Sequence, residues 1–544
     1  MKINYGHLCI KAHYFFFVAS TGVSYPYIPV YGKQIGVSPL VIGIIGTFFS
    51  ILHLITKPVC GFIMDYSQWR KLIFIVLVAL SSCSYVSIFF LPSLPGPMLL
   101  DQHFQNISYA SLSTCDMENH ALAIASCNGT KDTTCRWICN DMRSSMGLSF
   151  YPDQQRAIIS PDTACLLNVN ETSLSQKNMT NNYNCNVTCD NFEDQCVYAS
   201  NTFWSFVLLW SLAETSYFTS MSISDAMCFH ILGQGKESKF GKQRLWATMG
   251  YGVAACLSGY MMDLWSPNGI YQNYTPMLIL ALVFICVNLV CCIKLEMPLE
   301  KGSTTILKDV FILLKSKSIV IFLCFVAFAG ILNAIKRNYL FCYQCNLTYR
   351  YLEDLAIATG YMNKIKLIEG LIIIAETFGG EIAFLFFSGK IIKKLGYSYT
   401  IIFCFICYAI RWGLISLSPT PWWIILIELI MHGSSYALCI AAISAYANVV
   451  TPPGTSVTVQ GLVQGMHDSF GFSVGNFIIG VSYKTFGGTI TMRIFSAFAT
   501  LSALTYFIFS VLCLKHETPG LRNNVEWKNP DDARKHCVIT ETFF

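Results

Sequence analysis

The sequence predicts an all-α polytopic membrane protein, with twelve transmembrane helices in two six-helix pseudo-repeats and a large disulfide-rich extracellular loop between helices three and four. Composition is the first observation behind this. Of 544 residues 54% are apolar and 12% charged, against the ~25% charged residues of ordinary soluble domains. So few polar groups cannot coat a water-facing surface, and disorder, collagen and coiled coil are excluded as well. The second observation is that apolar runs of span length recur along the chain. A bilayer core demands about 20 such residues per helix, because the backbone there must satisfy its own hydrogen bonds. The third is a long polar segment, rich in Cys and Asn, that interrupts the series once. A net charge of +5, from 36 Lys+Arg against 31 Asp+Glu, is too slight and scattered for a nucleic-acid partner.

In chain order, the first half (1–91 and 199–296) holds spans expected at 9–31, 39–63, 71–91, 199–222, 243–264 and 275–296. The second half (318–514) holds spans at 318–340, 366–388, 397–417, 420–447, 456–482 and 490–514. Pro26 and Pro29 stand where a cleavable leader would carry small residues, so the first run is read as an uncleaved span. Those prolines also loosen the helix beside Tyr25 and free carbonyls next to a cavity. Lys and Arg gather at the turns after spans two, four, six and eight, which places both termini, including the 515–544 tail, in the cytoplasm. The linker 297–317 contains ILKDVFILLKSK, apolar at helical spacing with lysines between, and is expected to lie on the membrane surface.

The same topology puts 92–198 outside. This segment holds Cys115, Cys127, Cys135, Cys139, Cys165, Cys185, Cys189 and Cys196, and glycosylation sequons at Asn106, Asn128, Asn170, Asn178 and Asn186. An even cysteine count beside clustered sequons indicates disulfides in an oxidising compartment, with a zinc module as the competing reading of the two Cys-x3-Cys pairs. The pairing itself is not encoded in the spacing. A shorter outer segment carries Cys342, Cys345 and a sequon at Asn346.

The halves share punctuation: GFIMDYSQWRK follows span two and GKIIKKLGY follows span eight, each a Gly leading into a short basic turn. Parallel six-span repeats around a midplane site describe one transporter architecture. Gly61, Asp65, Arg70 and Lys71 fill a G-x3-D-x4-R-[KR] pattern, which resembles the gating signature of the major facilitator superfamily. Further stretches, KAHYFFF (11–17), KPVCGF (57–62), GKQRLW (241–246), YLEDL (351–355), ETFGGEIAFLFFSGKIIKKLG (376–396), PWWIILIELIMHG (421–433) and TPPGTSVTVQGLVQG (451–465), are similar to the animal group called major facilitator superfamily domain-containing protein 6, a lactose-permease-like branch. The resemblance implies the major facilitator fold and a carrier's activity. Lys336, Arg337 and the NYLFCYQCNLTYR that follows depart from the group's usual pattern.

An ionisable group in a span costs about 2.5 to 3.5 kcal/mol, so each one needs a partner or a function. Glu428 and His432 lie four residues apart on one face of span ten, and Arg411 in span nine ends at a similar depth, so the three are expected to meet. A carboxylate alternating between an Arg and a proton is a coupling device, and the set is similar to that of the lactose-permease type; the alternative is a static ion pair joining two helices. Span eight offers Glu376 and Glu381, about 140° apart on an α-helix, so at most one should face a given partner. His467 and Asp468 follow Gly461 and Gly465 and precede Gly471 and Gly475, a close-packing pattern in which His467 is the pathway candidate. Trp210 and Glu214 share a face of span four, where an aromatic platform beside a carboxylate suits a cationic or hydroxyl-rich solute. Asp225 and Arg244 are read as a gate or a solvated pair at the cytoplasmic face.

No phosphate-binding Gly-Lys-Ser/Thr loop, His-Glu-x2-His or Gly-x-Ser-x-Gly motif occurs, so no enzyme, cofactor or metal is expected. The reading is a plasma-membrane carrier of a small polar solute, secondary active or facilitative, working by alternating access, with protons as the candidate coupling partner. Its rival is a cell-surface receptor whose outer loop binds a macromolecule.

Overall fold

The computed structural model describes residues 5–35, 37, 39–92, seven short strands between 97 and 189, then 198, 200–233, 235–265, 274–295, 306–335, 351–361 and 364–512. The expected features at Asn106, Asn128, Asn170, Asn178, Asn346, Cys115, Cys127, Cys165, Cys196, Cys342, Cys345, Lys336, Arg337 and the 515–544 tail lie outside the described residues.

Helix falls on each stretch that hydropathy selects. The first half contains α1 (Tyr5–Ser24), α2 (Ile28–Gln34), α3 (Pro39–Tyr66), α4 (Arg70–Ile88), α5 (Asn201–Leu232), α6 (Phe240–Trp265) and α7 (Thr275–Lys294). A short α8 (Ile306–Lys315) leads to the second half. There follow α9 (Lys317–Ile335), α10 (Tyr351–Thr359), α11 (Ile365–Ile374), α12 (Ile382–Leu395), α13 (Tyr397–Ser416), α14 (Pro421–His432), α15 (Leu438–Val450), α16 (Ser456–Gly465) and α17 (Phe472–Leu512), which a non-helical Gly487 (φ 77°, ψ 173°) breaks into two helices. Among the described residues, eight helical segments are long and apolar enough to cross a membrane.

Several boundaries differ from expectation for identifiable reasons. Between α1 and α2 the chain tightens into a 3-10 turn, Tyr25–Tyr27, at Pro26, which has no N–H to continue the ladder. Helix α5 runs ten residues past the expected end at 222. Its polar Ser224 and Asp225 lower the hydropathy but are buried on partners, His13 and Tyr14, at 2.9 and 2.7 Å. Helices α11 and α12 form one rod through a π-helical turn, Ala375–Glu381, and similar turns join α14 to α15 (Gly433–Ala437) and α16 to α17 (Met466–Gly471).

The bundle is turned inside out relative to a soluble protein. On α3 the exposed residues Ile44, Phe48, Ile51, Ile55, Val59 and Ile63 recur at helical spacing, forming a lipid-facing stripe. On α14 the exposed side chains are Trp423, Leu426, Leu429 and Ile430, while Glu428 and His432 are fully buried. Packing inside relies on small residues, since hydrocarbon supplies no hydrophobic drive between helices. Helix α9 meets the π turn before α17 at Gly330 and Gly471, where a Cβ on Gly330 would strike the carbonyl of His467. The amphipathic α8 keeps Ile306 buried and leaves Leu307 and Phe311 exposed.

The strands are β1 (Pro97–Leu99), β2 (Leu122–Ser126), β3 (Gly129–Thr133), β4 (Cys135–Cys139), β5 (Met146–Phe150), β6 (Gln155–Ile159) and β7 (Cys185–Cys189). They form a three-stranded sheet, β1-β5-β6, and two antiparallel pairs, β2-β3 and β4-β7.

Overpacking a close helix crossing costs about 1 to 3 kcal/mol. Replacing Gly330 by Leu is expected to lower the thermal unfolding midpoint of the purified protein, whereas Ile44→Leu on the lipid-facing stripe leaves it unchanged; a scan in detergent compares the two.

Candidate transport pathway and its buried charges

Helices α13 and α14 bring Arg411 and Glu428 together through two hydrogen bonds, Arg411 Nε to Glu428 Oε1 at 3.1 Å and Nη2 to Oε2 at 2.6 Å. Both side chains are fully buried. A planar fork against a carboxylate is the strongest form of ion pair available to side chains. Arg411 Nη2 also lies 3.8 Å from Glu376 Oε1, and Arg411 Nη1 donates to Ser435 Oγ at 3.3 Å. The three groups expected to meet do so, since His432 Nδ1 lies 3.8 Å from Glu428 Oε2.

His432 turns its other nitrogen to Glu381, with Nε2 2.8 Å from Oε1. Glu376 and Glu381 therefore enter one cluster through different partners, Arg411 and His432. Both lie in the π turn Ala375–Glu381. Its i to i+5 ladder stacks residues five apart, where an α-helix splays them by about 140°. Gly380 and Gly433 sit in contact where the two rods cross, which lets Glu381 and His432 approach. The second oxygen of Glu381 accepts from Thr248 Oγ1 of α6 at 3.1 Å. One carboxylate thus joins the charged second half to a hydroxyl of the first. Nothing in the sequence marked Thr248, an uncharged residue in an apolar helix.

Glu376, Glu428 and His432 bring one ligand atom each within 4.8 Å of one another. Such a triad is able to ligate a metal, but Arg411 Nη2 already contacts both carboxylates and supplies the positive charge there.

A second network crosses between the halves nearer the end that carries Arg70, Lys236 and Lys394. Lys57 of α3 donates to Asp468 Oδ2 at 3.2 Å, and His467 Nδ1 lies 2.6 Å from Asp468 Oδ1. Gln464 receives Ser222 Oγ at 2.5 Å and donates to Asp225 Oδ2 at 2.8 Å. Tyr14 Oη donates to Asp225 Oδ1 at 2.7 Å, and Arg244 Nε lies 3.7 Å from the same oxygen. Asp225 is buried, not a solvated end group, which corrects that part of the sequence reading. The Lys57–Asp468 pair was legible in principle, because each is a lone in-span charge that requires an opposite partner.

At the basic end Asp65 caps α16. Its Oδ2 accepts the Thr458 N–H at 2.8 Å and the Thr458 hydroxyl at 2.6 Å, and its Oδ1 accepts the Val457 N–H at 3.3 Å. A carboxylate from one half thus fills the orphan donors and the positive dipole end of a helix in the other. Gly61, one turn earlier, packs so closely that a Cβ would lie 2.8 Å from Val457 O. Arg70 Nη2 donates to the Asp65 carbonyl at 2.7 Å, and Lys71 Nζ to the Ile293 carbonyl at 2.6 Å.

Two first-half candidates pack against aromatic rings. Trp210 is buried with its ring edge-on to Phe49, and its Nε1–H donates to Glu214 Oε1 at 3.2 Å. Its indole is therefore packed in the core and donates to the carboxylate. Tyr25 is half-buried, edge-on to Tyr85 at 6.3 Å.

Breaking a buried pair strands a charge at a cost of about 3 to 5 kcal/mol, whereas replacing both partners by apolar residues is much milder. Arg411→Met is expected to destabilise the protein by that amount, and Arg411→Met with Glu428→Leu to recover most of it, measured by thermal unfolding in detergent.

A family model described as MFS_1 like family matches residues 7–494. A crystal structure of a point mutant of the nucleoside transporter NupG superposes with a TM-score of 0.53 at 12% identity, covering 92% of this chain and 99% of that one. A second NupG crystal structure gives a TM-score of 0.47 at 13% identity, covering 93% and 99%. With the family model spanning nearly the whole chain and the fold shared with a solved transporter, the protein belongs to the MFS_1 like family of the major facilitator superfamily and is a multi-pass membrane transporter.

Proposed function

We propose that the protein is a proton-coupled secondary transporter of a small polar solute, with twelve membrane-spanning helices and both termini in the cytoplasm. The two six-helix halves, 1–91 with 199–296 and 318–514, rock about a central polar site. The observation that carries the reading is the chain His432–Glu381–Thr248, which ties a buried titratable cluster to the opposite half. In this cluster three carboxylates, Glu376, Glu381 and Glu428, face one guanidinium and one imidazole. Carboxylates gathered this closely in a medium of low dielectric disfavour one another's ionisation, so the site suits uptake of a proton or of a cationic solute group. Binding or release of that charge at Glu381 alters its hydrogen bond to Thr248 and with it the contact between the halves. Asp65 of α3, capping α16, closes the cytoplasmic end in this arrangement, with Gly61, Arg70 and Lys71 shaping the turn. His467 and Glu214 are assigned to the pathway walls, with Trp210 holding the Glu214 carboxylate from the core. The sequence places the chain near the major facilitator superfamily domain-containing protein 6 group, and the glycosylated, disulfide-bonded loop at 92–198 faces the exterior of the plasma membrane.

Uptake of a panel of small polar solutes is expected to rise at acid pH in cells expressing the wild type and to fall at least tenfold in Glu428→Gln at equal surface expression. Acid-stimulated flux that persists after Glu376, Glu381, Glu428 and His432 are all neutralised sinks the coupling. Thr248→Val removes a hydrogen bond to a charged group worth about 1.5 to 3 kcal/mol, and is expected to slow flux by about 10- to 100-fold without loss of surface protein.

The sheets of the outer segment favour a second reading, a receptor that engages a macromolecule through the loop. Deleting 100–195 separates the two. A carrier that reaches the surface keeps its flux, while a receptor loses its ligand.

A further inference from the structure

The outer segment contains two copies of Cys-x3-Cys, and the fold pairs them. Strands β4 and β7 run antiparallel with Cys135 opposite Cys189 and Cys139 opposite Cys185. We infer that these four residues form two cross-strand disulfides, Cys135–Cys189 and Cys139–Cys185, which lock strands far apart in sequence into one ribbon. The inference rests on the loop facing an oxidising lumen, as argued above.

The register excludes the other pairings. Directly opposite residues of an antiparallel pair have Cα atoms about 4.5 to 5.5 Å apart, inside the ~4.4 to 6.8 Å that a disulfide spans. At ~3.4 Å per residue, Cys135 and Cys139 are separated by about 13 Å along β4, as are Cys185 and Cys189 along β7. Local Cys135–Cys139 and Cys185–Cys189 bridges are therefore too long, and so are the diagonal pairs Cys135–Cys185 and Cys139–Cys189. A four-cysteine zinc site fails for the same reason, since zinc holds every sulfur at about 2.3 Å. Alternation along the strands adds a further point of order. Cys135, Trp137 and Cys139 share one face of the ribbon with Cys185, Val187 and Cys189, whereas the sequon residues Asn186 and Thr188 occupy the other face with Arg136 and Ile138. A glycan on Asn186 and the two bridges are thus compatible on one short ribbon.

Each bridge forms when two thiols give up two protons and two electrons to a protein disulfide donor of the secretory lumen, which leaves as two thiols. Closing one bridge fixes the register and brings the other pair opposite, so the two form together.

The test is peptide mapping of the full-length glycoprotein, alkylated at lysis, deglycosylated with peptide N-glycosidase and digested without reduction by trypsin and a Glu-specific protease. Cleavage after Arg136 separates Cys135 from Cys139, and cleavage after Lys177 and Glu193 releases both Cys185 and Cys189 on one peptide. The expected product is a three-peptide species in which electron-transfer fragmentation reads Cys135–Cys189 and Cys139–Cys185. Any other connectivity, or four alkylated thiols, overturns the pairing. Deamidation at Asn186 in the same digest shows that the loop reached the lumen. Wrong pairing with deamidation refutes only the ribbon, whereas free thiols and no deamidation at any sequon refute the topology as well.

Discussion

The contact between Arg411 and Glu428 sets the terms for the second half of this protein. A guanidinium and a carboxylate, both without solvent exposure, are tolerable inside a membrane bundle only because two hydrogen bonds join them in a fixed plane. Once that pair is placed, other groups must arrange around it. Ser435 takes a further guanidinium N–H, Glu376 approaches the same nitrogen, and His432 stands beside Glu428 with its far nitrogen on Glu381. The network is continuous from α13 through α14 to the π turn after α11, and it reaches the first half at the Thr248 hydroxyl.

A second constraint, close approach of backbones, operates where charge does not. Gly330 against Gly471, Gly380 against Gly433 and Gly61 against the start of α16 all mark places where a side chain would hold helices apart. Two of these crossings fall at or beside a π turn. The polar groups lie at the same levels, so the sites where the bundle is tightest are also the sites where it is most polar. Asp65 shows how the two constraints combine at the basic end, with a carboxylate satisfying backbone donors across an interface that Gly61 keeps narrow.

Much of this was legible in the amino-acid sequence. Hydropathy located the helices because the bilayer imposes length and apolarity directly on the chain, and the meeting of Arg411, Glu428 and His432 followed from helical spacing plus the cost of a lone charge. The extension of α5 escaped detection because buried serines and an aspartate look like a helix end to hydropathy. The separate partners of Glu376 and Glu381, Arg411 and His432, escaped it because they depend on tertiary placement, and no residue pattern announces the π turn between the two glutamates. Thr248 and Gln464 carry no charge, so their bridging roles depend wholly on tertiary placement. For Trp210, proximity on a helix face does not say whether the indole offers its face or its N–H.

The three π turns bear on how the two halves compare with each other. A π turn accommodates one residue more than the α-helical path it interrupts. Those at Ala375–Glu381, Gly433–Ala437 and Met466–Gly471 all belong to the second half, and the described helices of the first half contain none. Residue-by-residue alignment of the two repeats therefore slips by one position within each of these rods. The repeat is visible where helices end, at Gly61 and Gly389 before their basic turns, and blurred at mid-depth. An ancestral duplication read from such a chain would be recovered from its turns long before it was recovered from its spans.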